Sequence, residues 1–325
     1  MPFIASGSYG CVFKPHLRCK KKVKKNSNNT IGKIFFSEED FEYERDVNEI
    51  INKIDPEHKF TVPYLGECET DNLNNNEDEI DQCIELDFTG RTVNQLIYQY
   101  GGLSMMDYIS TRQGNAKDFK SLFKGLLNIL IGITKLDNNG YVHQDIKPDN
   151  ILLGKKINTK IYLIDFGLLD KKDHIFVNNN IEMLKYNYPY FPPEYKMYAY
   201  PNNFNKYYHE YTNNFYYGFI INGSREYLIN KFDDIGITKD IFYDAYNDTM
   251  HNMDWNSYTS KTDLFSFGIV VLMLFIWSQM FKSGVSTCVT NEIKTYLFNI
   301  LYPDPIKRYT LEEAIQYHKK IIKLL

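Results

Sequence analysis

Two short stretches of the chain carry side chains of the types that bind phosphate and a divalent cation. Asp145, Lys147 and Asn150 precede the apolar run Ile151–Leu153, and Asp165 follows a second apolar run. Asp and Asn side chains offer the hard oxygen ligands that Mg²⁺ prefers, and the Lys ammonium offers a positive charge to a phosphate. The combination indicates phosphoryl chemistry, whereas a capped turn beside an unrelated Asp requires this spacing to arise by chance.

The sequence around these residues resembles that of the eukaryotic-type protein kinases. Residues 143–150 read His-Gln-Asp-Ile-Lys-Pro-Asp-Asn, and Asp-Phe-Gly follows downstream, close to the family motifs H-R-D-L-x-x-x-N and D-F-G. The resemblance implies that Asp145 is the catalytic base and that Lys147 neutralises charge on the transferring phosphoryl group. It also implies that Asn150 and Asp165 hold Mg²⁺. A Lys two residues after the catalytic Asp is typical of the Ser/Thr branch.

The N-terminal region resembles the part of the same family that binds the nucleotide. Residues 5–12 match the glycine-rich loop G-x-G-x-x-G-x-V with Ala in place of the first Gly, and Lys33 matches the lysine that holds the α and β phosphates of ATP. The residues that the resemblance assigns to ATP binding are Ile4, Ala5, Gly7, Ser8, Tyr9, Gly10, Val12, Ile31, Lys33, Gln99, Tyr100 and Leu152.

An ion pair between Lys33 and a Glu of the following helix is a further feature of the family. Glu44 is the predicted partner and a predicted catalytic residue, since apolar residues follow it three and seven positions later, at the spacing of one helix face. Glu42 and Glu49 remain alternatives for this role.

The segment Leu96–Gly102 is expected to form the last strand of the small lobe and the hinge, whose backbone binds adenine. Tyr98 then takes the gatekeeper position at the back of the nucleotide pocket, and Val12, Ile31 and Leu152 enclose the purine. Burial in an ordinary hydrophobic core is the alternative for each of these side chains.

Hydrophobic periodicity divides the chain into a strand-rich part and a helical part. Short apolar runs separated by Gly, Asn and charged loops extend to about Leu103, interrupted by one helix that begins after Ser37 and ends at Asp55-Pro56. Phe119–Leu136 has apolar residues at helical spacing. We therefore expect an α+β fold, with a small β-rich lobe followed by a larger α-helical lobe.

The expected organisation is the bilobal protein-kinase fold in a single domain over residues 1–325. The N-lobe covers 1–100, with the hinge from about residue 98, and the C-lobe covers 101–325. Most of the excess length falls in one insertion at about 198–257, which is dense in Tyr and Asn and contains a predicted helix over Lys239–Met253. A docking surface for a partner or substrate is one interpretation of the insertion, and a self-packed elaboration is the other.

Three motifs in the C-terminal half extend the resemblance almost to the end of the chain. Pro192-Pro193-Glu194 stands where the family has A-P-E, residues 263–268 match the D-x-W-S-x-G start of a helix, and Arg308 matches the late D-P-x-x-R. The resemblance implies a buried ion pair between Glu194 and Arg308.

Two departures from the family concern the segment that follows Asp165. Gln144 replaces the Arg that receives a phosphorylated activation loop in many kinases, and residues 168–191 contain no Ser or Thr. We therefore expect no switching by Ser/Thr phosphorylation of this loop. Asn187 stands where Ser/Thr kinases carry a Thr that contacts the catalytic Asp. The segment has three side-chain hydroxyls, those of Tyr186, Tyr188 and Tyr190. One interpretation of these tyrosines is that they accept phosphate, and the other is that they pack near a substrate groove.

Composition and charge favour a globular protein, and the resemblance to protein kinases implies that its partners are protein substrates. The 325 residues are 43% hydrophobic and 24% charged, with a formal net charge of −4. This charge supplies no global field that would attract nucleic acid or an anionic membrane surface, and no nucleic-acid partner is expected. Leu264–Phe281 is apolar and about long enough to cross a bilayer. Its Ser, Gly and Gln residues favour a buried core helix, and no membrane span is expected.

Cysteine content and residue usage bear on where the protein acts. Five cysteines without C-x-x-C spacing predict neither a disulfide framework nor a zinc site, and the N-terminus resembles no secretory signal. A cytoplasmic, reducing location is therefore expected. The 27 Tyr and 22 Phe beside 2 Trp, together with the elaborated large lobe, resemble kinases of large DNA viruses of protists. Such an origin implies the host cell or the virion as location.

The residues allow three functions. The first is an active Ser/Thr protein kinase with ATP and Mg²⁺ as cofactors. The second is a catalytically weak pseudokinase that acts as a binding scaffold, which Ala5 and Gln144 favour and the retention of Lys33 and Asp145 disfavours. The third is a small-molecule kinase, which is not expected to carry Glu194 and its neighbouring motifs.

Overall fold

The computed structural model of the chain describes residues 3–7, 10–21, 29–70, 83, 92–154, 160–177, 180–215, 219–221, 224–226, 228–280 and 286–325. The chain divides into two compact units, Met1–Gly102 and Leu103–Leu325. Ser8 and Tyr9, which the sequence assigns to ATP binding, lie outside the described residues.

The first unit is built on a five-stranded antiparallel sheet with the strand order β1-β2-β3-β5-β4. The strands are β1 (Phe3–Gly7), β2 (Gly10–Phe13), β3 (Thr30–Phe35), β4 (Tyr64–Glu69) and β5 (Asn94–Gln99). β1 and β2 pair across the glycine-rich loop, with Gly7 opposite Gly10. A Cβ atom on Gly10 would lie 1.9 Å from the carbonyl oxygen of Ile34 in β3. Glycine is therefore required at this position by the packing of the sheet itself.

A helix, α1 (Glu38–Ile54), follows β3 where the sequence predicts it. The Ser37 hydroxyl accepts a hydrogen bond from the Asp40 backbone N–H at 3.1 Å, and acidic residues fill the first turn. Both features stabilise a helix N-terminus. The helix ends at Asp55, whose carboxylate accepts a backbone hydrogen bond from Phe60 at 2.9 Å. The helix packs against β3 and β5.

Four of the five cysteines form disulfides in the first unit, so the prediction of no disulfide framework is wrong. Cys11 is bonded to Cys83 and Cys19 to Cys68, with Cα atoms 6.1 and 5.8 Å apart. The partners are 72 and 49 residues apart in sequence, and the folding of the sheet brings them together, which a search for short spacings does not detect. Cys288 is free and exposed. The reducing location inferred from the same cysteines stays a prediction.

Replacing Cys19 by Ser is expected to lower the free energy of unfolding by about 2–4 kcal/mol in oxidising buffer, because the bond to Cys68 constrains the unfolded chain over a separation of 49 residues. Urea unfolding with and without reductant measures the effect, and the difference from wild type should vanish in reductant. The control is Cys288→Ser, since Cys288 forms no disulfide. A wild type that is equally stable with and without reductant would contradict the prediction.

The second unit is mainly helical, so the predicted α+β fold is confirmed. Its helices are α2 (Met105–Thr111), α3 (Ala116–Asn138), α4 (Ile181–Lys185), α5 (Pro193–Ala199), α6 (Phe204–Phe215), α7 (Leu228–Asp234), α8 (Lys239–Asn252), α9 (Trp255–Tyr258), α10 (Thr262–Met280), α11 (Thr287–Ile300) and α12 (Leu311–Leu324). Its strands are β6 (Leu103–Ser104), β7 (Tyr141–Val142), β8 (Ile151–Leu153), β9 (Ile161–Leu163), β10 (Asp170–Lys171), β11 (Phe219–Ile221) and β12 (Ser224–Glu226). β6, β8 and β9 form one small sheet, and β7 pairs with β10.

The apolar segment predicted as a core helix is α10. By length and composition alone, the helical stretch Trp255–Ser278 has the hydropathy of a membrane span, but 89% of its most apolar window is buried inside the protein. α10 packs against α3 and α11. The prediction of a buried core helix is therefore confirmed.

A buried histidine lies where α3, α11 and α12 meet. The ring of His318 stacks on that of Phe123, with centroids 4.1 Å apart. Its Nε2 lies 2.7 Å from the Phe123 carbonyl oxygen and its Nδ1 lies 3.3 Å from the Tyr296 hydroxyl. A neutral ring satisfies both contacts, since Nε2–H donates to the carbonyl and Nδ1 accepts from the hydroxyl. Burial lowers the pKa of His318 to about 4.

Acidification is expected to remove about 3 kcal/mol of unfolding free energy through His318. The pKa is about 4 in the folded chain, against 6.5 for a free histidine. The unfolded state therefore binds more protons between these values, and stability falls as the pH falls from 6.5 to 4. Urea unfolding on both sides of this window measures the loss, which His318→Gln should reduce. His174→Gln, at an exposed histidine, is the control and should retain the full loss, and an unchanged pH dependence in His318→Gln would refute the assignment.

The predicted insertion packs through its own aromatic side chains, as far as the structure describes it. Tyr207 of α6 stacks on Tyr246 of α8 at 5.1 Å and on Tyr211 at 5.9 Å. The Tyr246 hydroxyl donates to the Tyr200 carbonyl at 2.9 Å. This packing explains much of the Tyr density by internal contacts, and partner docking through the insertion stays a prediction.

Candidate active site

The loop 143–150 of the second unit is held through its backbone by a buried carboxylate. Asp263, at the start of α10, accepts hydrogen bonds from the backbone N–H groups of His143 at 2.7 Å and Gln144 at 2.9 Å. Burial raises the pKa of Asp263, while these two donors favour its charged form. Gln144 has φ = 65°, in the left-handed region that non-glycine residues rarely adopt. Asp263 thus fixes the turn from which Asp145 projects.

The carboxylate of Asp145 is the centre of the site. Its Oδ2 accepts hydrogen bonds from Lys147 Nζ and from Asn150 Nδ2, each at 2.8 Å. Asn150 Nδ2 also donates to the Asp145 carbonyl oxygen at 2.9 Å. The structure therefore brings together three of the predicted site residues, and both contacts to Oδ2 orient the carboxylate.

The other oxygen of Asp145 has a partner that the sequence does not predict. The Tyr188 hydroxyl donates to Oδ1 at 2.5 Å, whereas Asn187, the residue at the family position for this contact, accepts from Lys196 Nζ at 2.8 Å. Burial and the Asp145 charge raise the pKa of Tyr188, so the phenol keeps its proton and donates. Burial also lowers the pKa of Lys196, the partner of Asn187, to about 8. Residue 188 and not residue 187 therefore contacts Asp145, because the chain conformation after α4 differs from what sequence spacing predicts.

Gln144 connects the loop 143–150 to the segment after Asp165 through uncharged contacts. Its Nε2 donates to the Leu168 carbonyl oxygen at 2.8 Å, and its Oε1 lies 3.3 Å from the Tyr195 hydroxyl. These neutral contacts occupy the side chain that stands in the position of the family Arg. The absence of switching by Ser/Thr phosphorylation of this loop stays a prediction.

Asn150 and Asp165 lie at the same end of two paired strands. β8 begins directly after Asn150 and β9 ends two residues before Asp165, and the two strands are antiparallel. The Ile164 backbone N–H donates to the Asn150 carbonyl at 3.0 Å. Asn150 Nδ2 donates to Asp145, and its amide oxygen is the atom of the side chain that can serve as a metal ligand. An amide oxygen and a carboxylate are the hard donors that suit Mg²⁺, so these residues fit the predicted metal.

In the first unit, the predicted pair Lys33 and Glu44 is in contact. Lys33 Nζ, on β3, donates to Glu44 Oε2 on α1, and both side chains are largely buried, with 16% and 12% exposed. Glu42 and Glu49 are exposed on other faces of the helix. The Tyr98 hydroxyl donates to Glu44 Oε1 at 2.9 Å, a contact that sequence spacing does not indicate. Burial, with the Glu44 charge, raises the pKa of Tyr98.

The remaining residues assigned to ATP binding belong partly to the first unit and partly to the second. Exposed positions of the first unit are Ile4, Ala5, Gly7 and Gln99, half-buried ones are Val12, Ile31 and Tyr100, and Gly10 is buried. Leu152 of β8, in the second unit, is half-buried. Their contact with a nucleotide stays a prediction.

The buried ion pair implied by the resemblance is present in the second unit. Arg308 Nη1 and Nη2 donate to Glu194 Oε1 and Oε2 at 2.7 and 2.8 Å, and both side chains are 0% exposed. Arg308 also donates to the carbonyl oxygens of Tyr302 and Lys261, at 2.9 and 3.0 Å. The pair ties the start of α5 to the segment before α12.

One known protein family matches most of this chain. The family model described as protein tyrosine and serine/threonine kinase matches residues 3–220, about two thirds of the chain. The match covers the β-sheet unit and the helical region that holds Asp145 and Asp165. By fold, this is a protein kinase domain. The chain belongs to the protein tyrosine and serine/threonine kinase family.

Individual relatives match shorter segments. A protein of Acanthamoeba polyphaga mimivirus named as a serine/threonine-protein kinase is 47% identical over 49 residues, 15% of this chain and 16% of its own length. A Dictyostelium discoideum protein named as a serine/threonine-protein kinase is 30% identical over 161 residues, 49% of this chain and 34% of its own length. A tyrosine-protein kinase of Girardia tigrina is 26% identical over 91 residues, 28% of this chain and 18% of its own length. The chain thus spans well under two thirds of each relative.

Proposed function

We propose that this chain is an active protein kinase that transfers the γ-phosphate of ATP to Ser and Thr hydroxyls of protein substrates. The observation that carries the proposal is the carboxylate of Asp145. It accepts hydrogen bonds from Lys147 and Asn150 on one oxygen and from a hydroxyl on the other. An oriented carboxylate within hydrogen-bond reach of a hydroxyl is what a general base for phosphoryl transfer requires.

The proposed roles follow from the chemistry of each side chain. Asp145 takes the proton of the acceptor hydroxyl, and Lys147 supplies positive charge to the transferring phosphoryl group. Lys33, oriented by Glu44, holds the α and β phosphates of ATP. Mg²⁺, when bound, neutralises charge on the phosphate oxygens. Asn150 and Asp165 are the residues proposed to hold the ion, and ATP and Mg²⁺ are therefore the proposed cofactors.

Specificity for Ser and Thr is the finer part of the proposal. It is supported by Lys147, two residues after Asp145, and by the names of the mimivirus and Dictyostelium relatives. The family model covers tyrosine and Ser/Thr kinases alike, and the Girardia relative is named a tyrosine kinase. Phosphoamino-acid analysis of a phosphorylated protein mixture is therefore the direct test of this part.

The proposal as a whole is tested by incubating the purified chain with γ-labelled ATP, Mg²⁺ and a generic protein substrate rich in Ser, Thr and Tyr. Label is expected on protein Ser and Thr, and EDTA is expected to abolish it, because the phosphate charge is then no longer neutralised. Label on tyrosine of the substrate alone would overturn the Ser/Thr assignment. Label that appears only on small-molecule acceptors would favour the small-molecule kinase.

A pseudokinase scaffold is the second candidate, and the departures from the family motifs are the observation that favours it. Ala5 replaces the first Gly of the glycine-rich loop and Gln144 replaces the family Arg. A scaffold should bind ATP, seen as a rise in melting temperature, without transferring label to itself or to any substrate. That combination of results would replace the kinase proposal by the scaffold.

The setting of the activity is proposed from residue usage and from one relative. The mimivirus relative and the high Tyr and Phe content support an origin in a large DNA virus of protists, with the protein acting in the host cytoplasm or in the virion. Protein substrates are the proposed partners, and the insertion at 198–257 is the proposed docking surface. Deletion of the insertion without effect on substrate binding would remove the docking proposal.

A further inference from the structure

The contact between Tyr188 and Asp145 has the geometry of an acceptor hydroxyl on a catalytic base. The phenolic oxygen lies 2.5 Å from Oδ1 of Asp145, whereas the two other described hydrogen bonds to the carboxylate, from Lys147 and Asn150, are to Oδ2. A general base must lie within hydrogen-bond reach of the proton that it removes. The hydroxyl of Tyr188 meets this requirement without any substrate.

The group proposed to stabilise phosphoryl transfer lies beside the same ring. Lys147 Nζ is 2.8 Å from Oδ2 of Asp145 and 5.5 Å from the centroid of the Tyr188 ring. The hydroxyl, the base and the cation are therefore assembled within one unit of the chain. Burial and the neighbouring carboxylate raise the pKa of Tyr188, so the proton is present on the phenol and directed at Asp145.

Tyr188 differs in this respect from the two other tyrosines of the segment. Tyr186 is 67% exposed. Tyr190 is 8% exposed, and its hydroxyl lies 3.6 Å from the sulfur of Met273. Tyr188 is held by ring contacts with Tyr190 and Phe191, at 5.3 and 5.1 Å between centroids. Its position on Asp145 is thus fixed by packing on both neighbours.

We infer that Tyr188 is a phosphorylation site of this chain, modified by the chain's own active site within the same molecule. The bond that forms joins the phenolic oxygen of Tyr188 to the γ-phosphorus of ATP, the bond that breaks joins that phosphorus to the oxygen that leaves with ADP, and the phenolic proton passes to Asp145. The inference rests on the proposed phosphoryl transfer. It does not depend on Ser/Thr specificity toward other proteins, because the fold itself delivers the acceptor.

The inferred site differs from the Arg-held switch of the family. Gln144 stands in the position of that Arg and makes neutral contacts with Leu168 and Tyr195, so it offers no positive charge to receive a phosphate. Residues 168–191 contain no Ser or Thr. Any hydroxyl modified in this segment must therefore be a tyrosine.

The test incubates the purified full chain with Mg·ATP. Mass spectrometry of phosphopeptides from residues 168–191 measures modification of the tyrosines, and transfer to a generic protein substrate is measured in parallel. Wild type and Tyr186→Phe should gain phosphate on Tyr188, and Tyr188→Phe should lose it. The fraction modified per unit time should not change when the protein is diluted about tenfold, because an intramolecular step is first order in protein. In Asp145→Asn the rate at Tyr188 should fall by about 100-fold or more.

The outcomes separate this inference from the proposed function. Transfer to the substrate with Tyr188 unmodified, or with phosphate on Tyr186 alone, overturns the inference and leaves the kinase proposal intact. A rate at Tyr188 that rises in proportion to protein concentration overturns the intramolecular step. Absence of transfer to both Tyr188 and the substrate overturns the kinase proposal, and the inference with it.

Discussion

Replacement of Asp145 by Asn is expected to lower γ-phosphate transfer by about 10²–10⁴-fold, the contribution that general base catalysis typically makes. The amide has nearly the size of the carboxylate but cannot take the proton of an acceptor hydroxyl. Its oxygen can still accept from Lys147 and Asn150, which donate to Oδ2 of Asp145 at 2.8 Å. The fold and the affinity for ATP should therefore be retained while the rate of transfer falls.

The matched control for this variant is Asp149→Asn. Asp149 belongs to the same loop and undergoes the same chemical change, but it is exposed and is assigned no part in transfer. Single-turnover transfer and ATP binding should be measured for both variants. A rate for Asp145→Asn within about threefold of wild type would exclude a base role for Asp145, and an equal loss in both variants would indicate a general effect of loop charge.

Asp165→Asn separates the proposed metal ligand from the proposed base. The change removes one negative charge from the site assigned to Mg²⁺, so transfer should fall and the Mg²⁺ concentration needed for half-maximal rate should rise. Asp145→Asn should leave that concentration nearly unchanged. If neither variant alters the dependence on Mg²⁺, the assignment of Asp165 to the metal is wrong.

Local sequence signals predicted the elements that position the site. Ser37 and the acidic residues after it predict the start of α1, and the cap is observed. The period of apolar residues over Phe119–Leu136 predicts α3, which extends from Ala116 to Asn138. In both cases the signal lies within one element, where propensity and burial of one face act together. The contact between Lys33 and Glu44 follows because β3 and α1 are adjacent in sequence and each has a defined inward face.

Contacts that depend on the tertiary fold or on an irregular segment could not be predicted from local sequence signals. Cys11 and Cys83 are 72 residues apart, so their pairing depends on the folding of the whole first unit. Tyr188 reaches Asp145 because the chain after α4 places residue 188, and not 187, toward the loop 143–150. Family spacing identifies a position in the chain, but the direction of a side chain in an irregular segment depends on backbone angles that spacing does not specify.

Glu194→Gln is expected to lower the free energy of unfolding of the second unit by about 3–5 kcal/mol, because it leaves the charge of Arg308 buried without its partner. Both side chains are 0% exposed and meet through two hydrogen bonds. The carbonyl contacts from Tyr302 and Lys261 satisfy some donors of Arg308 but do not neutralise its charge. Urea unfolding followed by tryptophan fluorescence measures the loss, since both Trp255 and Trp277 belong to this unit.

An exposed ion pair next to Arg308 provides the control, since it allows the same kind of substitution at the surface. Lys307 Nζ lies 2.6 Å from Asp248, with the two side chains 53% and 47% exposed, so Asp248→Asn should cost less than about 1 kcal/mol. A double variant, Glu194→Gln with Arg308→Met, should be less destabilised than the sum of the single variants, since it leaves no unpaired charge. Equal costs for Glu194→Gln and Asp248→Asn would contradict this account. Additive costs for Glu194→Gln and Arg308→Met would contradict it too. A single substitution is expected to be costly because it leaves the partner's charge buried and unpaired, and the double variant leaves no such charge.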